Sequence, residues 1–232
     1  KSVFQYAEKR DTTKHFGNPH GVALDKDGNL VIVDADKHFV MRFSPKGKLL
    51  GYIGKTGQED GEFHSPRVVL LHPNSDLFIS DQKEFGNRIQ IFSSDGKFKK
   101  SFAPHGNGEG QLLRAHGMNF DSKGNLFVVD VDNSKVTKFD AEGNFQYSFG
   151  EDGPYKHQLN APHGLAVDPN DNVFICGYYG TIQKFDSKGN YIKSFAEGNP
   201  PDHSVYIHAI SGDQYGNVYS MVRGQRGYGG RA

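Results

Sequence analysis

Several features that would assign a function class at once are scarce in this sequence of 232 residues. Cys176 is its single cysteine, which excludes an internal disulfide framework and leaves the redox compartment open. Basic and acidic residues balance at 27 each, so the chain lacks the net basic charge that nucleic-acid binders use to neutralise phosphates. Apolar runs such as 30–33 are too short to span a bilayer. We therefore expect neither a nucleic-acid partner nor a membrane partner.

The start of the chain and its composition set further expectations. The chain begins at Lys1 without a methionine or a signal segment, so we expect a processed or partial chain. A secreted or periplasmic location is slightly favoured, although no residue encodes it. No window shows a sustained helical period and tryptophan is absent, whereas 29 glycines, 18 phenylalanines and 11 tyrosines favour short strands joined by tight turns. No composition break divides the chain, which predicts a single domain over residues 1–232.

A tandem repeat of 45 to 49 residues organises the chain. Each copy begins with a segment that most often reads Pro-His-Gly or Ala-His-Gly, as at 19–21 and 115–117, and continues through a short apolar run. A turn of the Asp-x-x-Gly-Asn kind and a second apolar run follow. The position after the first residue of this segment, called here the register position, is held by His20, Arg67, His116, His163 and His208.

Each repeat is predicted to form four strands, which is the pattern of a β-propeller blade. The repeats start near residues 18, 65, 114, 161 and 206, and residues 2–7 are predicted to form an outer strand that closes the ring. The third strand of a repeat is predicted to end on a phenylalanine, namely Phe43, Phe92, Phe139 and Phe185. The glycine-rich segment 224–232 replaces a third strand in the last repeat. The sequence therefore predicts either five blades with an irregular last one or, slightly favoured, part of a six-bladed protein.

The segments 19–30 and 86–92 resemble NHL repeats, and the resemblance covers nearly the whole chain. Within that group, the first strands with their histidines resemble the peptidyl-α-hydroxyglycine α-amidating lyase domain, a six-bladed propeller. The resemblance implies a zinc ion held by three histidines from alternate blades, which by position are His20, His116 and His208 here. The chain departs from that family at 81–85, where the catalytic tyrosine is missing, and near Val131, where an arginine is missing.

The chemistry of the register position agrees with a metal site. In a six-bladed ring, alternate blades stand about 120° apart, so three imidazoles at the mouth of the central channel would meet and leave one metal position open. Zinc is the first expectation, but imidazole suits other transition metals equally. His163 would be a fourth ligand or a hydrogen-bonding neighbour of the site. The residues with predicted catalytic roles are Arg67, for a substrate carboxylate, and Tyr178, Tyr179 and Arg223 on the rim.

Two functions remain open at this point. The first is a metal-dependent, lyase-like propeller acting on a small polar or peptidyl α-hydroxyglycine-type substrate in a channel lined by histidines. The second is a non-catalytic NHL scaffold that binds a protein or another ligand through its rim loops, with each register histidine simply bonded to a backbone carbonyl. The repeated aspartates, such as Asp25 and Asp34, are predicted to cap turns and strand ends, and Cys176 to be a small buried hydrophobe.

Overall fold

A computed structural model describes residues 16–83, 86–153, 155, 157–177, 180–195 and 205–224. Every regular element in these ranges longer than a turn is a β-strand, as the sequence predicts. The chain divides into two compact units, Lys1–Ala115 and His116–Ala232, which are treated separately below. The predicted closing strand at 2–7 lies outside the described residues. The described residues contain no helix that is long and apolar enough to cross a membrane.

The first unit holds two four-stranded antiparallel sheets, each a blade whose strands pair in chain order. Blade one consists of β1 (Pro19–Leu24), β2 (Leu30–Asp34), β3 (Phe39–Phe43) and β4 (Leu49–Ile53). A short parallel pair, β5 (Lys55–Thr56) and β6 (Glu62–Phe63), leads to blade two. Blade two consists of β7 (Pro66–Leu71), β8 (Leu77–Lys83), β9 (Gly86–Phe92) and β10 (Phe98–Phe102).

The second unit repeats the same arrangement. Blade three, whose first strand begins on the last residue of the first unit, consists of β11 (Ala115–Phe120), β12 (Leu126–Asp130), β13 (Lys135–Phe139) and β14 (Phe145–Phe149). Blade four consists of β15 (Gly164–Val167), β16 (Val173–Cys176), β17 (Ile182–Phe185) and β18 (Tyr191–Phe195). The fifth repeat has the hairpin β19 (Val205–Gly212) and β20 (Val218–Gly224) in its described part. The third strands end on the four predicted phenylalanines.

The second strand of each complete blade contributes to the core: β12 and β16 are buried on both faces, and β2 is buried mainly on the face of Val31 and Val33. Val31 and Val33 of β2 are fully buried against blade two, and every residue of β12 is buried. Burying one such side chain contributes about 1.5–3 kcal/mol. Cys176 ends the buried strand β16, and burial raises the pKa of its thiol to about 11. The thiolate that a nucleophile needs is therefore scarce at neutral pH, in agreement with a packing role.

The turn between the first and second strands is held by its aspartate, as the sequence predicts. In blade three, one carboxylate oxygen of Asp121 accepts the backbone N–H groups of Lys123 (3.0 Å) and Asn125 (2.8 Å). Its other oxygen lies 2.8 Å from Lys138 Nζ on β13. Burial pushes the pKa of Asp121 upward, but the hydrogen bonds from Lys138 and Asn125 outweigh it and hold that pKa below its usual value.

This depressed pKa predicts a pH-dependent contribution to stability. A carboxyl group whose folded-state pKa is lowered stabilises the fold above its unfolded pKa of about 3.9 and loses that contribution as the pH falls through the folded value. Asp121→Asn is expected to reduce the free energy of unfolding by about 1.5–3 kcal/mol near neutral pH. The difference from wild type should shrink below about pH 4 in urea unfolding curves. Asp186→Asn, in the more exposed turn between the third and fourth strands of blade four, is the control. A difference that stays constant down to low pH would contradict the assignment.

The glycine after the register position allows neighbouring first strands to approach closely. A Cβ on Gly21 of β1 would lie 2.8 Å from the backbone oxygen of Arg67 on β7. A Cβ on Gly117 of β11 would lie 2.5 Å from the backbone oxygen of His163. Real Cβ atoms do not tolerate such distances to backbone, so the His-Gly pair is a packing requirement as well as a recurring motif.

Candidate functional site

Three of the five register residues lie at irregular points of the first strands. In β1, Pro19 pairs with Asp34 and Gly21 with Val33, which leaves His20 in a β-bulge. In β19, the same kind of shift leaves His208 between the paired residues Ile207 and Ala209. In β7, the irregularity lies between Pro66 and Val69 and contains Arg67. Bulges are over-represented next to active sites, and in three repeats such an irregularity contains the register residue.

His20 and Arg67 are in direct contact within the first unit. Arg67 Nη1 donates a hydrogen bond to His20 Nε2 over 2.7 Å. Because an arginine can only donate, this nitrogen of His20 carries the lone pair and the neutral imidazole is protonated on Nδ1. The first predicted zinc ligand therefore offers its Nε2 lone pair to a guanidinium in this structure.

The surroundings of Arg67 favour an anionic ligand. Burial lowers the pKa of the Arg67 guanidinium, the nearby Asp36 carboxylate opposes that shift, and the positive charge of Arg114 adds to it. Arg67 Nε is buried and has no hydrogen-bond partner among the described residues. A carboxylate would supply the acceptor that Arg67 Nε lacks. Arg114 directly precedes the blade-three motif, at a position that holds no arginine in the other repeats, so the repeat pattern does not mark it.

His116 and His163 form the corresponding contact within the second unit. Their rings lie 4.5 Å apart between centroids and are inclined by 56°. His163 Nδ1 is 3.0 Å from the backbone oxygen of Ala161, so it carries the proton and Nε2 is left with the lone pair. The backbone N–H of His163 also donates to the oxygen of Cys176 over 2.7 Å. A ring nitrogen fixed by a carbonyl in this way is the usual arrangement of a histidine that ligates metal through its other nitrogen.

Buried aspartates at the ends of the second strands fix the segments that lead into the register residues. Asp34 accepts the N–H groups of Gly17 (2.6 Å) and Asn18 (2.9 Å), directly before β1. Asp81 accepts the N–H group of Ser65 over 2.8 Å, directly before β7. Both carboxylates are fully buried. They position His20 and Arg67 through the backbone, which agrees with the predicted role of these aspartates as strand-end caps.

Some predicted site residues cannot be placed by their side chains. Tyr178 and Tyr179 lie outside the described residues. For His208 and Arg223 the structure describes the strands β19 and β20 but not the side chains. Within the part of the chain that is described, no group of three or more His, Cys, Asp or Glu side chains is arranged to hold a metal ion. The zinc ligands and the catalytic roles therefore stay predictions.

Comparison with known proteins identifies the repeat and the fold. The NHL repeat matches residues 16–43, and a family described as a 6-bladed beta-propeller matches residues 59–152. Protein brain tumor of Drosophila melanogaster is 27% identical over 115 residues, which are 50% of this chain and 11% of that protein. Peptidyl-glycine alpha-amidating monooxygenase of Mus musculus is 30% identical over 129 residues, which are 51% of this chain and 13% of that protein.

Solved structures agree on the fold. Virginiamycin B lyase from Staphylococcus aureus superposes with a TM-score of 0.66 at 10% identity, over 88% of this chain and 63% of that one. At such identity the likeness carries the fold alone. The curated relatives are much longer proteins, of which the chain spans only 11% and 13%. The resemblance and fold class predicted from the repeats are confirmed: the chain is an all-β, NHL-type β-propeller built from four-stranded repeats.

Proposed function

We propose that the protein is a lyase-like propeller that acts on a small polar or peptidyl substrate of the α-hydroxyglycine type at the register positions. The observation that carries the proposal is the repeated strand irregularity, which contains His20, Arg67 and His208 at equivalent positions of three first strands. The contacts His20–Arg67 and His116–His163 support it, because each joins two register residues of successive repeats. The similarity to the amidating monooxygenase of Mus musculus agrees with this class of substrate.

Arg67 is proposed to bind the carboxylate of the substrate. Its buried Nε and its Nη groups offer parallel N–H donors, which match the two oxygens of a carboxylate. The bond from Nη1 to His20 Nε2 orients the guanidinium, and Arg114 adds positive potential. Arg223 would be a second carboxylate-binding group on the rim.

The histidines of the register position are proposed to hold zinc or another transition metal. His116 and His163 fit such an ion best, because they touch and because His163 has its Nδ1 committed to a carbonyl. His208 of the same unit would complete the set, whereas His20 of the first unit accepts a hydrogen bond from Arg67. A metal bound there would act as a Lewis acid on the hydroxyl or carbonyl oxygen of the substrate.

The proton transfer is assigned to chain residues. When an N-acyl α-hydroxyglycine is cleaved, its C–N bond breaks, the hydroxyl becomes the aldehyde carbonyl of glyoxylate, and the nitrogen leaves as a neutral amide after taking up a proton. The hydroxyl proton that is lost balances the proton that is gained. Tyr178 or Tyr179 is proposed to move it, and His20, hydrogen-bonded to Arg67, would hold the carboxylate end in place.

Metal content and turnover test the proposal together. Protein purified without a metal-affinity tag and never exposed to chelator is expected to contain a transition metal by elemental analysis and to release glyoxylate from an N-acyl α-hydroxyglycine. His116→Ala should lose both metal and turnover, whereas His105→Ala, on the exposed loop after β10, should keep both. Protein with no metal above trace and no turnover would contradict the lyase and would favour the alternative, a non-catalytic scaffold that binds a protein or another ligand through its rim loops.

A further inference from the structure

Two histidines outside the register positions face each other in the first unit. His38 lies in the turn between β2 and β3, and His64 lies in the segment between β6 and β7. Their rings are 5.5 Å apart between centroids and inclined by 34°. Both side chains are partly buried. They are 26 residues apart in the chain, so only the packing of blade two beside blade one brings them together.

The backbone sets the tautomer of both rings. His38 Nδ1 is hydrogen-bonded to the backbone oxygen of His64. His64 Nδ1 is in turn 3.1 Å from the backbone oxygen of Gln82 at the end of β8. A carbonyl oxygen can only accept, so both Nδ1 atoms carry the proton and both neutral rings have their lone pair on Nε2. No described residue forms a hydrogen bond with either Nε2 atom.

The backbone is held in a defined conformation at both histidines. His38 has a φ of 59°, a left-handed conformation that is uncommon for residues other than glycine. Ser134 adopts the equivalent conformation in blade three with a φ of 49°, so the turn itself explains the backbone but not the choice of histidine. His64 is fixed further by its N–H group, which donates to the buried carboxylate of Asp81 over 3.0 Å.

We propose that His38 and His64 form a second, two-histidine site for a divalent transition-metal ion, with Cu²⁺ or Zn²⁺ as the fitting cations. Histidines that ligate metal typically donate their other ring nitrogen to a carbonyl, as both do here. Metal–imidazole bonds of about 2.0–2.1 Å are compatible with one ion between two rings at this separation. No third His, Cys, Asp or Glu side chain completes the group among the described residues, so water or an external ligand fills the remaining positions. Copper should bind more tightly than zinc.

Copper titration of the metal-free protein in a His116→Ala background tests this site apart from the proposed register site. Electron paramagnetic resonance is expected to show one Cu²⁺ bound by two imidazole nitrogens. His38→Asn, which keeps a residue that tolerates the left-handed turn, should weaken that binding by about tenfold or more. The matched change His105→Asn, on an exposed loop, should leave it unchanged.

A second measurement locates the ion directly. In spectra of the ring nitrogens, Zn²⁺ should shift the Nε2 resonances of His38 and His64 and leave their Nδ1 resonances protonated. His64→Gln should abolish the shift at His38, and a retained circular-dichroism spectrum will show that the variant is folded. Unchanged copper binding in His38→Asn, or zinc shifts confined to other histidines, would overturn the proposal even if the register site proves to bind metal.

Discussion

Replacing Arg88 by alanine is expected to lower the free energy of unfolding by about 3–5 kcal/mol. Arg88 is 4% exposed, and its Nε and Nη2 atoms lie 3.2 and 3.0 Å from Oδ2 of Asp81, which is completely buried. The guanidinium also donates to the backbone oxygens of Gln58 (3.0 Å) and Glu62 (2.7 Å). Without it, the buried carboxylate of Asp81 loses its counter-charge and the oxygens of Gln58 and Glu62 each lose a donor, and an uncompensated buried charge is far costlier than a missing surface pair.

Arg88→Ala should also disturb the position of Arg67, because Asp81 accepts the N–H groups of His64 and Ser65 directly before that residue. Urea unfolding curves measure the stability loss. Lys97→Ala is the control, since Lys97 pairs with Asp95 at 2.9 Å in an exposed position and should leave the curve unchanged. In the double variant Asp81→Asn, Arg88→Met, the loss should be smaller than the sum of the single losses. A decrease in the free energy of unfolding of less than about 1 kcal/mol for Arg88→Ala would show that the Arg88–Asp81 pair contributes no more than a surface ion pair.

Gly117→Ala is the second change with a large expected effect. The added methyl group would lie 2.5 Å from the oxygen of His163 and 2.7 Å from the nitrogen of Leu165, both backbone atoms that cannot move independently of β15. We expect a loss of about 1–3 kcal/mol or more from overpacking. Because the clash falls on His163 itself, its contact with His116 should be disturbed as well.

Thermal or urea unfolding measures the cost of Gly117→Ala, and the ring resonances of His116 and His163 report the local change. Gly212→Ala on β19 is the matched control, because its new methyl group would lie 3.3 Å from the nearest atom, the oxygen of Val167. Its effect should be clearly smaller. Equal decreases in the free energy of unfolding of the two variants would mean that the close backbone contact at Gly117 is not the cause of the destabilisation.

The repeat made the fold predictable, since copies of one unit must place equivalent residues in equivalent strands. Phe185 ends β17 as expected, and the buried second strands follow from continuous apolar runs such as that of β12. The first residue of strand β15, next to His163, was less predictable. The motif at His163 matches the other repeats, but β15 begins at Gly164, two residues later than the equivalent strands β1, β7 and β11 begin.

The site was less accessible to sequence reasoning because it depends on backbone irregularity and on contacts between blades. The glycine after His20 is the only sequence signal for the bulge, and it has a packing cause as well. The hydrogen bond between His20 and Arg67 joins residues that are 47 positions apart in the chain. No local sequence pattern distinguishes direct contact between these two side chains from joint binding of a metal ion or substrate. His38 and His64 occupy loop positions without any motif, so their pairing follows from the packing alone.

The proposed function assigns metal binding to the register histidines of the second unit and carboxylate binding to Arg67 of the first. Anomalous diffraction at the zinc absorption edge, from crystals grown with Zn²⁺ and a non-cleavable substrate carboxylate, tests it most directly. We expect a zinc peak about 2.0–2.1 Å from a ring nitrogen of His116 and of His163, and the carboxylate within hydrogen-bond distance of Arg67. A structure in which both rings bind no metal and the carboxylate lies away from Arg67 would contradict it.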